Sequence, residues 1–348
     1  MSQSLTGPIS LTGPIPLASA AAQSLGPSRS TVRVCALGGG HGLKATLSAL
    51  RIIAAEHLTA ICTVADDGGS SGRLRRDMDV LPPGDLRMAL TALCDDTDWG
   101  RTWAQVMQHR FRSKDGVEGS LDNHAMGNLL IVALWELLGD PVDGLRWAGA
   151  LLGARGQVLP MSRTPLTMSG LVQPKDAHEE QVRIDSQAEL ARAGQLGRLT
   201  DVRLHPEEAD ACTEAVTAIE LSDWVVLGPG SWYTSVLPHL LLPGMRRALS
   251  ETEAKRCVVM NLKADTDETS GMSPAEHLQV LRHYAPELRI DVIIADPRSV
   301  AEQERAAFEE AAAALGADIT YAKVRSGRRP DIHDPLRLAI AFNEVFAE

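Results

Sequence analysis

Gly38-Gly39-Gly40-His41-Gly42-Leu43 is the first run in the chain whose residue types suggest chemistry. Successive glycines let backbone amides turn toward an anion, and a helix starting just after them adds its positive dipole end. The run is not a Walker A loop: Lys44 follows Leu43, and Ala45 stands where Ser or Thr would bind magnesium. It is not a full dinucleotide fingerprint either, because Leu43 replaces the third glycine. A tight turn would also use these glycines. The strand-like residues before the run and the helical pattern after it favour phosphate contact.

Asp66-Asp67-Gly68-Gly69-Ser70-Ser71-Gly72-Arg73 closes the next strand-like run. Two chemistries fit its acids. A carboxylate there can take ribose hydroxyls, and two adjacent carboxylates can hold magnesium with a substrate phosphate. Gly68 to Gly72 also matches the nucleophile-elbow pattern, but the charged Arg73-Leu74-Arg75-Arg76-Asp77 does not suit the buried helix behind an elbow. Leu81-Pro82-Pro83-Gly84-Asp85-Leu86-Arg87 is a turn in its own right. Asp85 and Arg87 join a site only if the fold brings them near Asp67 and Arg73. Gly228-Pro229-Gly230-Ser231-Trp232-Tyr233-Thr234-Ser235 is a second strand-to-helix glycine loop. Ser231, Tyr233 and Thr234 can cap a helix or hydrogen-bond a diphosphate. Two such loops suggest one ligand bridging two halves of a sheet. Asn123-His124-Ala125-Met126-Gly127-Asn128 opens the clearest helix, where Asn128 can cap or touch ligand and His124 reads as structural. No histidine spacing of metal-ligand type is present, and neither a Ser-His-Asp nor a Cys-His arrangement is visible.

These loops need a scaffold that presents them at one edge. Apolar runs at 31–37 and 58–65 flank a helical stretch at 43–55, which is a βαβ unit. Residues 88–152 are mostly helical in pattern. Short alternating runs at 157–161, 166–172, 181–184 and 202–204 predict an inserted antiparallel segment within about 153–206. A parallel pattern resumes at 224–227, 257–262, 290–295 and 319–324, and 335–346 reads as a closing helix. The expected fold is α/β: a Rossmann-like, open, mostly parallel sheet with helices on both faces and an inserted β/α segment. Residues 31–348 are expected to form a single domain. Residues 1–30 duplicate the hexapeptide SLTGPI, lack charge before Arg29 and carry Pro8, Pro14 and Pro16, so they predict a disordered tail rather than a secretory signal.

The net charge is −11 and the excess falls beyond residue 130, which argues against general nucleic-acid binding. The apolar run 129–138 is too short for a membrane span and contains Glu136. The five widely spaced cysteines predict buried small hydrophobes in a reducing compartment, not a disulfide framework.

Several stretches together resemble the YvcK-like gluconeogenesis factors, in the superfamily with 2-phospho-L-lactate transferase: GGGHGL (38–43), TVADDGGSSGRLR (63–75), PPGDLRMAL (82–90), MGNLL (126–130), GQVLPMS (156–162), GPGSWYTSVLPHLL (228–241) and HDPLRLA (333–339). The resemblance implies a cytoplasmic regulator, not an established catalyst. Its ligand would be a nucleotide-sugar, UDP-N-acetylglucosamine or UDP-glucose, and its role would be cell shape and cell-wall precursor supply on gluconeogenic carbon. A protein partner in precursor synthesis and at most a homodimer also follow from it. The transferase branch instead implies a magnesium-dependent phosphotransferase, with Asp66 and Asp67 on the metal. That branch reads Thr-Gly before its acidic pair, whereas this chain has Val64-Ala65. The family commonly has Thr where this chain has His41, and Tyr where it has Met272. On the regulator reading, Gly38–Gly42 and Gly228–Ser231 hold a diphosphate, Asp66 or Asp67 contacts sugar, and Arg73 and Arg87 balance charge.

Overall fold

The computed structural model describes residues 32–113, 119–176, 180–264 and 266–347. The tail expected over 1–30 lies outside them. Strands β1 (Val34–Gly38), β2 (Leu58–Cys62), β3 (Gln157–Pro160), β4 (Thr167–Pro174), β5 (Val182–Ile184), β6 (Gly197–His205), β7 (Trp224–Leu227), β8 (Lys255–Val259), β9 (Val292–Ala295) and β10 (Asp318–Tyr321) form two sheets. Seven of them make a parallel sheet in the order β10-β9-β8-β7-β1-β2-β3, and β5-β4-β6 make an antiparallel one.

Every residue of β1, β2 and β7 is buried. That is why these strands read as unbroken apolar runs: helices cover both faces of a parallel sheet. Helix α1 (Gly40–Ala54) turns Leu43, Leu47 and Leu50 into the core at helical spacing. The closing helix Pro335–Phe346 packs beside α1 through Leu338, Ala341, Phe342 and Val345. Its start is set by Asp334, whose carboxylate accepts from the Leu336 and Arg337 amides.

The helical stretch after β2 resolves into α2 (Gly69–Met78), α3 (Gly84–Leu93), α4 (Asp98–Gln108), α5 (Met126–Leu138) and α6 (Pro141–Leu152). One expectation needs correction. Residues 157–160 do not join the antiparallel segment; they pair in parallel with β2 and form the edge of the main sheet. Four residues of β-forming pattern carry no information about the partner strand, and a short run can serve either sheet. All five cysteines are buried and unpaired. Among the described residues no helix is long and apolar enough to cross a membrane.

The strand order decides where a ligand cleft lies. From β1 the chain moves outward through β2 and β3; from β7 it moves the other way through β8, β9 and β10. The crevice opens between the carboxyl ends of β1 and β7, where the order reverses. Both glycine loops leave the sheet there.

Candidate functional site

The two glycine loops are in backbone contact. A Cβ on Gly42 would lie 2.0 Å from the Pro229 carbonyl oxygen and 2.5 Å from the Gly230 Cα. Gly40 holds φ at +57°, the left-handed region that glycine enters without strain, and this lets α1 begin two residues after β1. The buried Thr46 hydroxyl donates to the Gly228 carbonyl at 2.7 Å and ties α1 to the second loop. Asn261, just beyond β8, grips that loop from the other side. Its Oδ1 accepts from the Gly230 amide at 2.9 Å, and its Nδ2 donates to the Gly230 carbonyl at 2.8 Å. His41 is exposed on the first turn of α1, and Ser231 is exposed at the mouth of the second loop.

The acids divide differently from their order in sequence. Asp67 accepts from the Gln187 and Ala188 amides at 3.0 and 2.9 Å, so both its oxygens cap the short helix Gln187–Leu190. Asp66 accepts from the Gly68 amide at 3.0 Å. Its neighbour in charge is Asp85, carried in by the Pro-Pro-Gly turn at the start of α3. Asp85 lies against the first glycine loop, where a Cβ on Gly39 would come within 2.3 Å of its Oδ2. Burial, then the Asp66 charge, push the Asp85 carboxyl up to about 7, against the Gly40 amide and Arg87. Burial likewise raises Asp66, opposed by the Gly68 amide and the Ser71 hydroxyl. Arg75 faces Asp67 and Asp66 while bonding the Leu166 carbonyl.

Ser70, Arg73, Arg87 and Asn128 form one network. Arg73 donates from Nε to His124 Nε2 at 3.1 Å and from Nη2 to the Asp122 carbonyl at 2.7 Å. A guanidinium only donates, so His124 Nε2 accepts and the ring proton sits on Nδ1. That nitrogen, 3.1 Å away, therefore donates to Ser70 Oγ. Asn128 Nδ2 donates to the same oxygen at 3.0 Å. An imidazole that donates to a hydroxyl cannot take its proton, so Ser70 is not an activated nucleophile. Burial and then Arg73 lower His124 further, which keeps it neutral. Arg87, only 3% exposed, donates to Asn128 Oδ1 at 2.8 Å and to the Gln108 side-chain oxygen.

The second loop keeps less for a ligand than its sequence suggests. Glu268, itself buried, accepts from the Tyr233 amide and the Thr234 hydroxyl, each at 2.9 Å. Tyr233 is buried, and its hydroxyl lies 3.7 Å from Met272 Sδ. Thr234 and the Tyr233 hydroxyl thus serve the interior, while Pro229, Gly230 and Ser231 remain with the cleft. Burial pushes Glu268 up to about 7. Met272 packs on Tyr233.

Around the cleft the fold therefore gathers Gly38–Gly42, Asp66, Asp85, Gly228–Ser231 and the starts of α1 and α2. Gly68 and Gly69 carry the chain from the acids into α2, while Ser70, Ser71, Arg73, Arg87 and Asn128 brace it. Sequence reasoning missed Thr63, Gln108, His124 as a partner of Arg73, Asn261 and Glu268. Thr63, directly after β2, places its methyl 2.8 Å from a Cβ on Gly39. Asn261 follows a strand end, which is a usable signal in this fold; Glu268 and Gln108 meet their partners only through the tertiary fold. Among the described residues no group of three or more His, Cys, Asp or Glu could hold a metal ion.

A family model described as 2-phospho-L-lactate transferase CofD matches residues 34–328. A protein of Mycobacterium tuberculosis is 46% identical over 315 residues, covering 90% of each chain. One of Halalkalibacterium halodurans is 34% identical over 275 residues, covering 79% of this chain and 80% of its own. Both names contain the words gluconeogenesis factor. A crystal structure of a UPF0052 family member from Bacillus halodurans superposes with a TM-score of 0.76 at 30% identity, covering 92% of this chain and all of that one.

Proposed function

The chain belongs to the CofD family, and from that premise we propose that it is a gluconeogenesis factor that binds a nucleotide-sugar without turning it over. The ligand class is a UDP-sugar, UDP-N-acetylglucosamine or UDP-glucose, and the role is regulation of cell shape and cell-wall precursor supply in the cytoplasm. The observation that carries this reading is the contact of Gly42 with Pro229 and Gly230 at the switch point of the sheet. In the second loop the Gly228 and Gly230 amides are held by Leu37 and Asn261 and Pro229 has none, so the diphosphate would rest on the first amides of α1 and on the Ser231 amide. Asp66 is available to sugar or ribose hydroxyls, each carboxylate oxygen being able to accept more than one hydrogen bond. Ser70, whose oxygen accepts a hydrogen bond from His124 Nδ1, supports binding over covalent chemistry. Calorimetric titration with UDP-N-acetylglucosamine, with and without magnesium and with GDP as comparison, tests the proposal. Selective UDP-sugar binding without a magnesium requirement supports it, and product formation from the bound ligand overturns it.

A second reading, a phosphotransferase of the 2-phospho-L-lactate transferase type, is favoured by the Asp66–Asp85 pair beside the first loop. Hard carboxylate oxygens suit magnesium shared with ligand phosphates, so Asp66 and Asp85 fit the ion. Asp67 is less available, because each of its oxygens already accepts an amide of residues 187–188. Magnesium bound there would neutralise charge on a leaving diphosphate. GDP preference with a strict magnesium requirement would select this reading.

A further inference from the structure

We propose that the pit between strand β6 and the helix Pro274–Tyr284 is a second binding site, which takes a neutral ring carrying hydroxyls, a sugar or cyclic polyol. Apart from Tyr233, its walls are distinct from those of the crevice between β1 and β7, and it does not depend on the function proposed for that crevice. The pit measures about 270 Å³, just under the roughly 300–1,000 Å³ of pockets for drug-sized molecules, so one ring with its substituents fills it.

Two ties between β6 and that helix shape the pit. At one end Arg198 Nη1 bonds Glu276 Oε1 at 2.8 Å. At the other the Tyr284 hydroxyl accepts from the Val202 amide at 2.8 Å, so a ligand oxygen can take its proton. Between the ties the buried Leu199 and the half-buried Val280 give an apolar wall, and Gln279 and His283 stand exposed at the rim. Tyr233 reaches the same space from just past Ser231, turned away from the crevice. It is only 3% exposed, and its hydroxyl meets the Met272 sulfur at 3.7 Å, a weak acceptor. A buried donor matched so poorly costs free energy that a ligand oxygen would return. Burial, then Tyr284, raise this phenol and keep its proton on; Arg198 and Glu276 act on it too, so these polar heads face one space. The guanidinium and the carboxylate of the pit are paired with each other, so the pit selects no net charge. It offers phenol donors and, in Glu276 and Gln279, side-chain oxygens that accept. A hydroxyl does both, and the C–H face of a sugar ring suits Leu199, Val280 and the phenol rings.

Such a ring can be a free sugar or the sugar end of a larger ligand. The test uses the full chain with glucose as probe, read by saturation-transfer NMR, and with UDP-glucose, read by calorimetry. Wild type is compared with Tyr233→Phe, which removes the buried donor, and with Val280→Phe, which fills the pit; folding is checked by thermal melting. Gln279→Ala, whose side chain is exposed, carries the test if Val280→Phe does not fold. The proposal expects saturable glucose binding, weakened about threefold or more by Tyr233→Phe and by Gln279→Ala, since each loses one hydrogen bond, and lost in Val280→Phe. Glucose that stays bound under both UDP and UDP-glucose identifies a free sugar as the occupant. Glucose displaced by UDP-glucose but not by UDP, or UDP-glucose binding weakened by the three substitutions where glucose alone does not bind, identifies the sugar end of a larger ligand. Displacement of glucose by UDP would put the sugar in the crevice and overturn the site. Equal glucose binding by wild type and the variants would overturn it, as would absent glucose binding with UDP-glucose binding unchanged across them. Failure of wild type to bind any UDP compound, with glucose binding lost in Val280→Phe, would count against the proposed function and not against this pit.

Discussion

Replacing Gly42 by alanine tests the meeting of the two glycine loops directly. The added Cβ would stand 2.0 Å from the Pro229 carbonyl oxygen and 2.5 Å from the Gly230 Cα, and ordinary contact begins at 3.4 Å. Both obstacles are backbone, so no rotamer change relieves them, and the loops must part by roughly 1 Å or more. Overpacking of this kind costs about 1–3 kcal/mol. For a chain this long that is a fall of several degrees in Tm, at roughly 2–4 °C per kcal/mol. Displaced amides also lose hydrogen-bond geometry to a bound diphosphate, and loss of about 1.5–3 kcal/mol per charged contact predicts a Kd for UDP-N-acetylglucosamine at least about tenfold higher. Gly149→Ala in α6 is the control. Its Cβ would meet nothing closer than 3.6 Å, so the melt should hold or rise slightly, as helical Gly→Ala usually does. Differential scanning fluorimetry and calorimetry on the three proteins read both effects. A Gly42→Ala protein that melts and binds like wild type would refute the contact and the shared cleft with it.

Other outcomes follow from the same geometry. Asp85 and Glu268 have values near 7 in the folded chain, above the roughly 4 of an unfolded carboxyl. The folded chain therefore holds extra protons between about pH 4 and 7, and the stability these groups lend is lost as pH rises through 7. Asp85→Asn should gain Tm relative to wild type as pH is raised from 5 to 8; parallel melting curves across that range would contradict the assignment. Asp67→Asn should cost about 1 kcal/mol through the cap on residues 187–190 and leave any magnesium effect on binding unchanged, whereas Asp85→Asn should abolish that effect. Glu268→Gln keeps an acceptor for the Tyr233 amide and should melt near wild type at pH 8, while Glu268→Ala should lose about 1–3 kcal/mol. Asn261→Ala removes both bonds to Gly230 and should weaken UDP-N-acetylglucosamine in calorimetry without unfolding the chain.

Much of the scaffold was legible because glycine punctuates it. The runs at 38–42 and 228–230 sit at strand ends, and β7 and the closing helix fall at the residues that their patterns indicate. The acids were harder. Adjacent residues on extended backbone point to opposite sides, so Asp66 and Asp67 could not both face the cleft. That rule was available from sequence, but the partner Asp85 was not: it arrives through a turn whose direction depends on how α3 packs. Thr234 looked like a diphosphate donor because hydroxyls follow a glycine loop. Its actual acceptor, Glu268, lies 34 residues away in sequence, with no local pattern linking the two. Arg73 was read as a ligand charge, and its part in setting the tautomer of His124 shows only in the fold.

The most direct measurement is a crystal structure of the chain with UDP-N-acetylglucosamine. The account predicts diphosphate oxygens within about 2.7–3.2 Å of amides at the start of α1 and of the Ser231 amide in the second loop. A diphosphate held by one loop alone, or bound outside the crevice between β1 and β7, would contradict it.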